Sequence, residues 1–133
     1  MLSGGRQRII IRSENSGTAT QLRSALSDHC DPEFIRDLFA AERAERDERT
    51  PHAVVVEFVN NGDEDAISKE TLQFLQAVKE RWPTCRRLAV SEIENLPAVI
   101  KAVHSGTIHG MLSKPLQPTE VAASVLSAAN RPR

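Results

Sequence analysis

The sequence predicts an α/β protein built on a parallel sheet wound on both faces. Ile9-Ile10-Ile11 and Ala53-Val54-Val55-Val56 are continuous apolar runs rich in β-branched residues, as strands buried on both faces require. Segments with helical periodicity separate these runs, so strands and helices alternate along the chain. Each run also leaves the core at a polar residue. In a parallel sheet such exits share one edge, and ligands bind just beyond that edge.

In chain order, Arg6 to Arg12 is the first strand, and it exits at Ser13-Glu14. Asn15 or Ser16 caps a helix from Gly17 to Ser27, in which Ala19, Leu22, Ala25 and Leu26 fall on one face. Residues 28–50 admit two readings. Asp31-Pro32-Glu33 is a good helix start, giving one helix from Pro32 to about Asp47. The alternative is a strand from Glu33 to Leu38 and then a helix from Phe39 to Asp47. Parallel strands need a helix between them, which favours the second reading. The alternating charges of Ala40 to Arg49 fit a solvated helix face.

Pro51 to Phe58 is the central strand, with Glu57 at its end and a turn at Asn60-Asn61-Gly62-Asp63. Ile67, Ser68 and Leu72 form a staple around a Ser68 cap. Leu72, Leu75, Val78 and Trp82 make the buried stripe of a helix that Pro83 ends, with Trp82 in the core. Arg87 to Val90 is a short strand leading into Ser91-Glu92. Asn95, Leu96, Pro97, Val99, Ile100 and Val103 form a capped helix stopped by Gly106. The last strand, Ile108 to Leu112, is interrupted by Gly110 and exits at Ser113-Lys114-Pro115. Pro118-Thr119-Glu120 opens the final helix, whose buried face is Val121, Ala122, Val125, Leu126 and Ala129.

Composition narrows the function classes. The 133 residues suit one domain over 1–133 with its core at about 6–130. A formal net charge of −1 gives no pull toward nucleic acid or membrane. Arg86-Arg87, Arg131 and Arg133 are too few for a nucleic-acid footprint. No apolar run reaches the ~20 residues of a membrane span. Cys30 and Cys85 lie far apart, which argues against zinc and for a reducing, cytoplasmic setting. The histidines His29, His52, His104 and His109 fit no metal motif. No glycine-rich phosphate loop follows the first strand, so a nucleotide or flavin has little support.

The strand ends carry Ser13-Glu14, Glu57, Ser91 and Lys114-Pro115. In this order and at these spacings the chain, from about Arg6 to Asn130, resembles the receiver domain of bacterial two-component response regulators. The resemblance implies a flavodoxin-like fold of five parallel strands in the order 2-1-3-4-5 with about five helices. It implies that Glu57 stands at the phosphoacceptor position ending the third strand. It implies that Ser91 contacts a phosphoryl group, that Lys114 neutralises its oxygens, and that the Lys114-Pro115 bond is cis. Glu14, Glu57 and the backbone carbonyl of Val59 would be the Mg²⁺ ligands. The surface formed in receivers by the fourth helix, fifth strand and fifth helix corresponds to about Asn95 to Asn130. Val99, Val103, Met111 and Pro115 are its candidate contacts for a homodimer or for a protein partner, either a histidine kinase or an output protein.

The departures point to a degenerate receiver. Receivers carry two adjacent acids after the first strand, where this chain has Ser13-Glu14, and hard cations want several carboxylate oxygens. No cofactor is therefore expected, and a Mg²⁺ site would be weakened. The acceptor is Glu rather than Asp, and the extra methylene moves the carboxylate by about 1.5 Å. Met111 stands where receivers have Tyr or Phe. The longer Glu57 reaches toward Lys114, where a standing ion pair would imitate part of the charge of an aspartyl phosphate. The expected function is a signalling module acting through protein contacts, independent of phosphorylation. The rival is a phosphoacceptor domain catalysing its own Mg²⁺-dependent phosphoryl transfer. A small-molecule binder on the same fold is more distant. No output domain follows the last helix, so the chain either acts alone or is a piece of a longer regulator.

Overall fold

The structure, a computed structural model, describes residues 8–13, 15–34, 51–58, 69–91 and 96–129, with the side chains of 69, 70, 96, 98 and 99 excepted. Strands and helices alternate as β1 (Arg8–Arg12), α1 (Ser16–Leu26), β2 (Asp31–Phe34), β3 (Ala53–Glu57), α2 (Lys69–Arg81), β4 (Arg86–Ser91), α3 (Leu96–His104), β5 (Gly110–Ser113) and α4 (Pro118–Ala129). The five strands form one sheet in the order β2-β1-β3-β4-β5. Every pairing is parallel, with Ile9 opposite Ala53, Val55 opposite Leu88 and Leu88 opposite Gly110. The fold class and strand order expected from the sequence are those observed.

The β-branched runs build the core on both sides of the sheet because successive side chains point to opposite faces. Ile9, Ile11, Val55 and Val90 pack with Leu22 and Leu26 of α1 and Val121 and Val125 of α4. Ile10, Val54, Val56 and Ala89 pack with Phe74, Leu75 and Val78 of α2 and Ala102 of α3. All four residues Ala53–Val56 are fully buried. Polar side chains of β3 can therefore emerge only at its ends.

Local chemistry sets the boundaries. The Asn15 side chain caps α1 by accepting from the Thr18 N–H at 3.0 Å. Helix α3 ends at Gly106, which has φ 79°. There the Gly106 N–H reaches the Val103 carbonyl and the Thr107 N–H reaches the Ala102 carbonyl, the paired bonds of a glycine-terminated helix.

Some expectations need correction. Asp31-Pro32-Glu33 starts no helix, and the strand begins at Asp31 rather than Glu33. β2 pairs only with β1, and an edge strand tolerates a proline that cannot donate. Residues 35–38 and the helix expected over 39–47 lie outside the described residues, as do the Ser68 cap and the turn at 60–63. Leu72 does not join the buried stripe of α2 and is 42% exposed. Thr71, Phe74, Leu75 and Val78 share the buried face, and at 100° per residue Leu72 lies about a quarter turn away from it. Trp82 is half-buried against the Val54 side of the core, with the Arg81 guanidinium 5.3 Å from its ring centre. In α3, Ile100 and Val103 are exposed, and among the described side chains of the helix Ala102 is the buried one.

Two leucines on one helix test this packing. Leu75→Ala is expected to cost about 2–5 kcal/mol of unfolding free energy. Leu72→Ala should cost no more than about 0.5 kcal/mol. Urea unfolding of both variants measures the difference, and equal losses would contradict the assigned face.

Candidate functional site

The central strand delivers one acid to the sheet edge. Glu57 ends β3 and is only 3% exposed. It shares the strand face of Val55, so its side chain turns toward the α1 and α4 layer. A charge in that position needs partners, because a buried carboxylate without them is strongly unfavourable.

Three donors supply them. The Ser13 hydroxyl, just past β1, donates to Glu57 Oε1 at 2.7 Å. The Thr18 hydroxyl, in the first turn of α1, donates to Oε2 at 2.9 Å. The Lys114 ammonium, just past β5, forms an ion pair and hydrogen bond with the same Oε2. Both carboxylate oxygens are thus engaged, and one side chain joins β3 to three other parts of the chain. Burial alone would push the Glu57 carboxyl up. The hydrogen bonds from Lys114, Ser13 and Thr18, with the lysine charge, outweigh it and hold the group below the usual carboxylate range.

The donors are themselves positioned. Ser13 Oγ accepts from the Asn15 N–H at 3.2 Å, and its single proton faces both the Asn15 carbonyl at 3.2 Å and the nearer Glu57 carboxylate at 2.7 Å. Thr18 is fixed by the Asn15 cap and lies on the buried face of α1 with Leu22, Ala25 and Leu26. The Lys114 N–H donates to the Ser91 carbonyl at 3.0 Å, and the Lys114-Pro115 bond is cis. Ser91 is fully buried at the end of β4, but its hydroxyl is not among the groups from which Glu57 accepts. On the opposite face Arg12 lies 5.3 Å from the Phe74 ring centre and donates to Thr71 Oγ1 at 3.4 Å.

The structure thus brings Glu57 and Lys114 together and sets Ser91 beneath the lysine as a backbone support. Glu14 and Val59, the other two candidate metal ligands, lie outside the described residues. Of the candidate contact surface, Val103 and Pro115 are exposed and Met111 is half-buried, while the Val99 side chain is outside the described set. Thr18 is the site residue that sequence reasoning missed. Its signal was available: a hydroxyl on the apolar stripe of α1 requires a buried acceptor. Ser13 was read only as a lost acid, whereas it is a donor to the acid that remains.

The sign of the Glu57 shift sets a pH dependence. The folded carboxylate resists protonation more than the unfolded one, so its stabilisation is complete above the ordinary glutamate range. It is lost as pH falls through the lowered folded value. Glu57→Gln should reduce unfolding free energy near neutral pH by about 1–3 kcal/mol. It should also flatten the stability loss between about pH 5 and pH 3, which denaturant unfolding across that range will measure. Thr18→Val should raise the Glu57 titration midpoint, followed by carboxyl carbon NMR, because one donor to the charged form is removed.

No family model matches the chain, and no curated protein matches it. Solved structures do. The N-terminal receiver domain of a two-component response regulator from Bacteroides fragilis aligns with TM-score 0.77 at 18% identity, covering 96% of this chain and 100% of that one. A response regulator from Thermotoga maritima aligns with TM-score 0.73 at 17% identity, covering 95% and 99%. An adenylate cyclase from Rhodopirellula baltica aligns with TM-score 0.74 at 17% identity, covering 93% and 87%. At these identities the likeness is one of architecture, and the chain has the flavodoxin-like fold of response-regulator receiver domains.

Proposed function

We propose that this chain is a signalling module of the receiver type in which a standing Glu57–Lys114 pair replaces the phosphorylated state, and that it acts through protein contacts. The observation that carries the reading is the engagement of both Glu57 oxygens by Ser13, Thr18 and Lys114 on a side chain only 3% exposed. A phosphoacceptor must present a free carboxylate oxygen to an incoming phosphoryl group, and a cation must be available for the charge that arrives. Here the oxygens are occupied and the lysine charge is already matched.

The donor set also fits Mg²⁺ poorly. Hard cations gather several anionic or carbonyl oxygens. Among the described residues no cluster of three or more His, Cys, Asp or Glu side chains could hold a metal. Among the described residues the groups that bond Glu57 are two hydroxyls and an ammonium, each donating to the carboxylate. In this reading the module needs no cofactor, is no enzyme, and works in the cytoplasm. Among the described residues no helix is long and apolar enough to cross a membrane.

The partner, a histidine kinase or an output protein, would meet the surface of α3, β5 and α4, which takes the place of the fourth helix, fifth strand and fifth helix of receivers. Ile100 and Val103 are exposed there at 48% and 41%. The same surface would serve a homodimer. The rival reading, a working Mg²⁺-dependent phosphoacceptor, requires Glu57 to leave all three donors.

Amide NMR with Mg²⁺ and then beryllofluoride, a phosphoryl mimic, separates the two. The expected outcome is no saturable shift at Ser13, Glu57, Ser91 or Lys114. Mg²⁺-dependent shifts at these residues that spread into β5 would overturn the proposal.

A further inference from the structure

The edge of the sheet opposite Glu57 holds a second arrangement that the proposed signalling role does not use. Two histidines, each immediately ahead of a strand, make the same contact with an arginine on the neighbouring strand. The His52 N–H donates to the Arg8 carbonyl at 2.9 Å, and His52 Nδ1 accepts from the Arg8 N–H at 3.4 Å. The His109 N–H donates to the Arg87 carbonyl at 2.7 Å, and His109 Nδ1 accepts from the Arg87 N–H at 2.9 Å. Each imidazole therefore closes the first rung of a parallel strand pair, β1 with β3 and β4 with β5.

Both contacts demand an unprotonated Nδ1. A neutral imidazole can present a lone pair there, whereas an imidazolium carries hydrogen on both nitrogens and can only donate. The surroundings add to the constraint. Arg8 is 2% exposed and Arg87 is 3% exposed. The Arg87 guanidinium donates to the carbonyls of Cys85, Gly106 and Thr107, which are neutral acceptors that leave its charge in place. Arg86 bonds through its N–H to the His52 carbonyl at 3.2 Å. Lys101 and His104 end α3, just before the loop that leads to His109. Among the described residues the acids of this edge, Asp31 and Glu33, are on β2, one strand beyond Arg8, and Glu33 is held by Arg8 Nε at 3.1 Å.

We propose that His52 and His109 form a pH-sensitive latch that closes the N-terminal edge of the sheet while their rings are neutral and opens as they gain protons. Histidine ordinarily gains its proton near pH 6.5, so the latch works in mildly acidic conditions, above the range in which Glu57 titrates. Stability is complete above that pH and declines as pH falls through it, because the unfolded chain binds the protons more readily. Opening would loosen the start of β5 and the end of α3, which Arg87 joins through the carbonyls of Gly106 and Thr107.

The test is thermal unfolding of the chain between pH 7.5 and 5.5, with the His52→Asn/His109→Asn double variant alongside, since Asn keeps a short acceptor that does not titrate. The wild-type midpoint is expected to fall by about 5 °C across this window, and the double variant should lose most of that dependence. A flat wild-type profile, or a double variant with the full decline, would overturn the latch. If the double variant does not fold, the wild-type amide protons decide. The Arg8 and Arg87 amides should move upfield as pH falls from 7.5 to 5.5, and amides that hold still through that range would also overturn it.

Discussion

One buried negative charge organises the carboxyl edge of the sheet. β3 is fully buried from Ala53 to Val56 and then presents Glu57 with almost no access to water. The sheet leaves no room for an unmatched carboxylate in such a place. The matching groups come from the ends of β1 and β5 and from the first turn of α1. Each carries its own support: the Asn15 cap beneath Thr18, the Asn15 N–H on Ser13, and the Ser91 carbonyl beneath Lys114. The charge thus ties secondary-structure elements together that would otherwise share only apolar contacts.

Much of this was legible in the sequence, and the parts that were not have identifiable causes. Ile9 to Ile11 and Val54 to Val56 read as central strands because only a strand covered on both faces has use for continuous β-branched residues. Parallel strands deliver Lys114 and Glu57 to one edge, and their pairing across β4 is what the resemblance to receivers implied. β2 was harder. Asp31-Pro32-Glu33 has the local chemistry of a helix start, and only position at the sheet edge lets the proline stand in a strand. Leu72 misled because a leucine near a helical stripe reads as part of it, although Thr71 occupies the buried position one residue away. Thr18 was passed over because a lone hydroxyl carries no motif. Its meaning comes from the acid it faces across the layer, a tertiary fact.

The two edges of the sheet solve opposite electrostatic problems. At the carboxyl edge an acid is buried, and hydroxyls and an ammonium surround it. At the amino edge arginines are buried: backbone carbonyls and Glu33 accept from their guanidinium groups, and imidazoles accept from their backbone N–H groups. The first arrangement is lost only in strong acid, because the Glu57 carboxylate is held below its usual range. The second includes imidazole nitrogens that can accept only while unprotonated. A parallel sheet lets the two coexist, because its strands hold both sets of ends far enough apart for each edge to keep its own charge balance.

A carboxylate differs from a phosphoryl group in ways that matter for signalling. It brings one charge and two oxygens, against the larger charge and three oxygens of the phosphoryl group. It is also permanent. A site that gains and loses phosphate shifts between two states because the ligand has different affinity for each. In the proposed reading a covalent, standing acid supplies no such difference from one moment to the next, so the pocket alone would not report a changing input. On that reading switching would come through groups whose occupancy changes: a partner on the face of Ile100 and Val103, or protons at the opposite edge. In both cases the Glu57 cluster would act as a fixed anchor, holding α1, β3 and the end of β5 in register while the rest of the molecule responds.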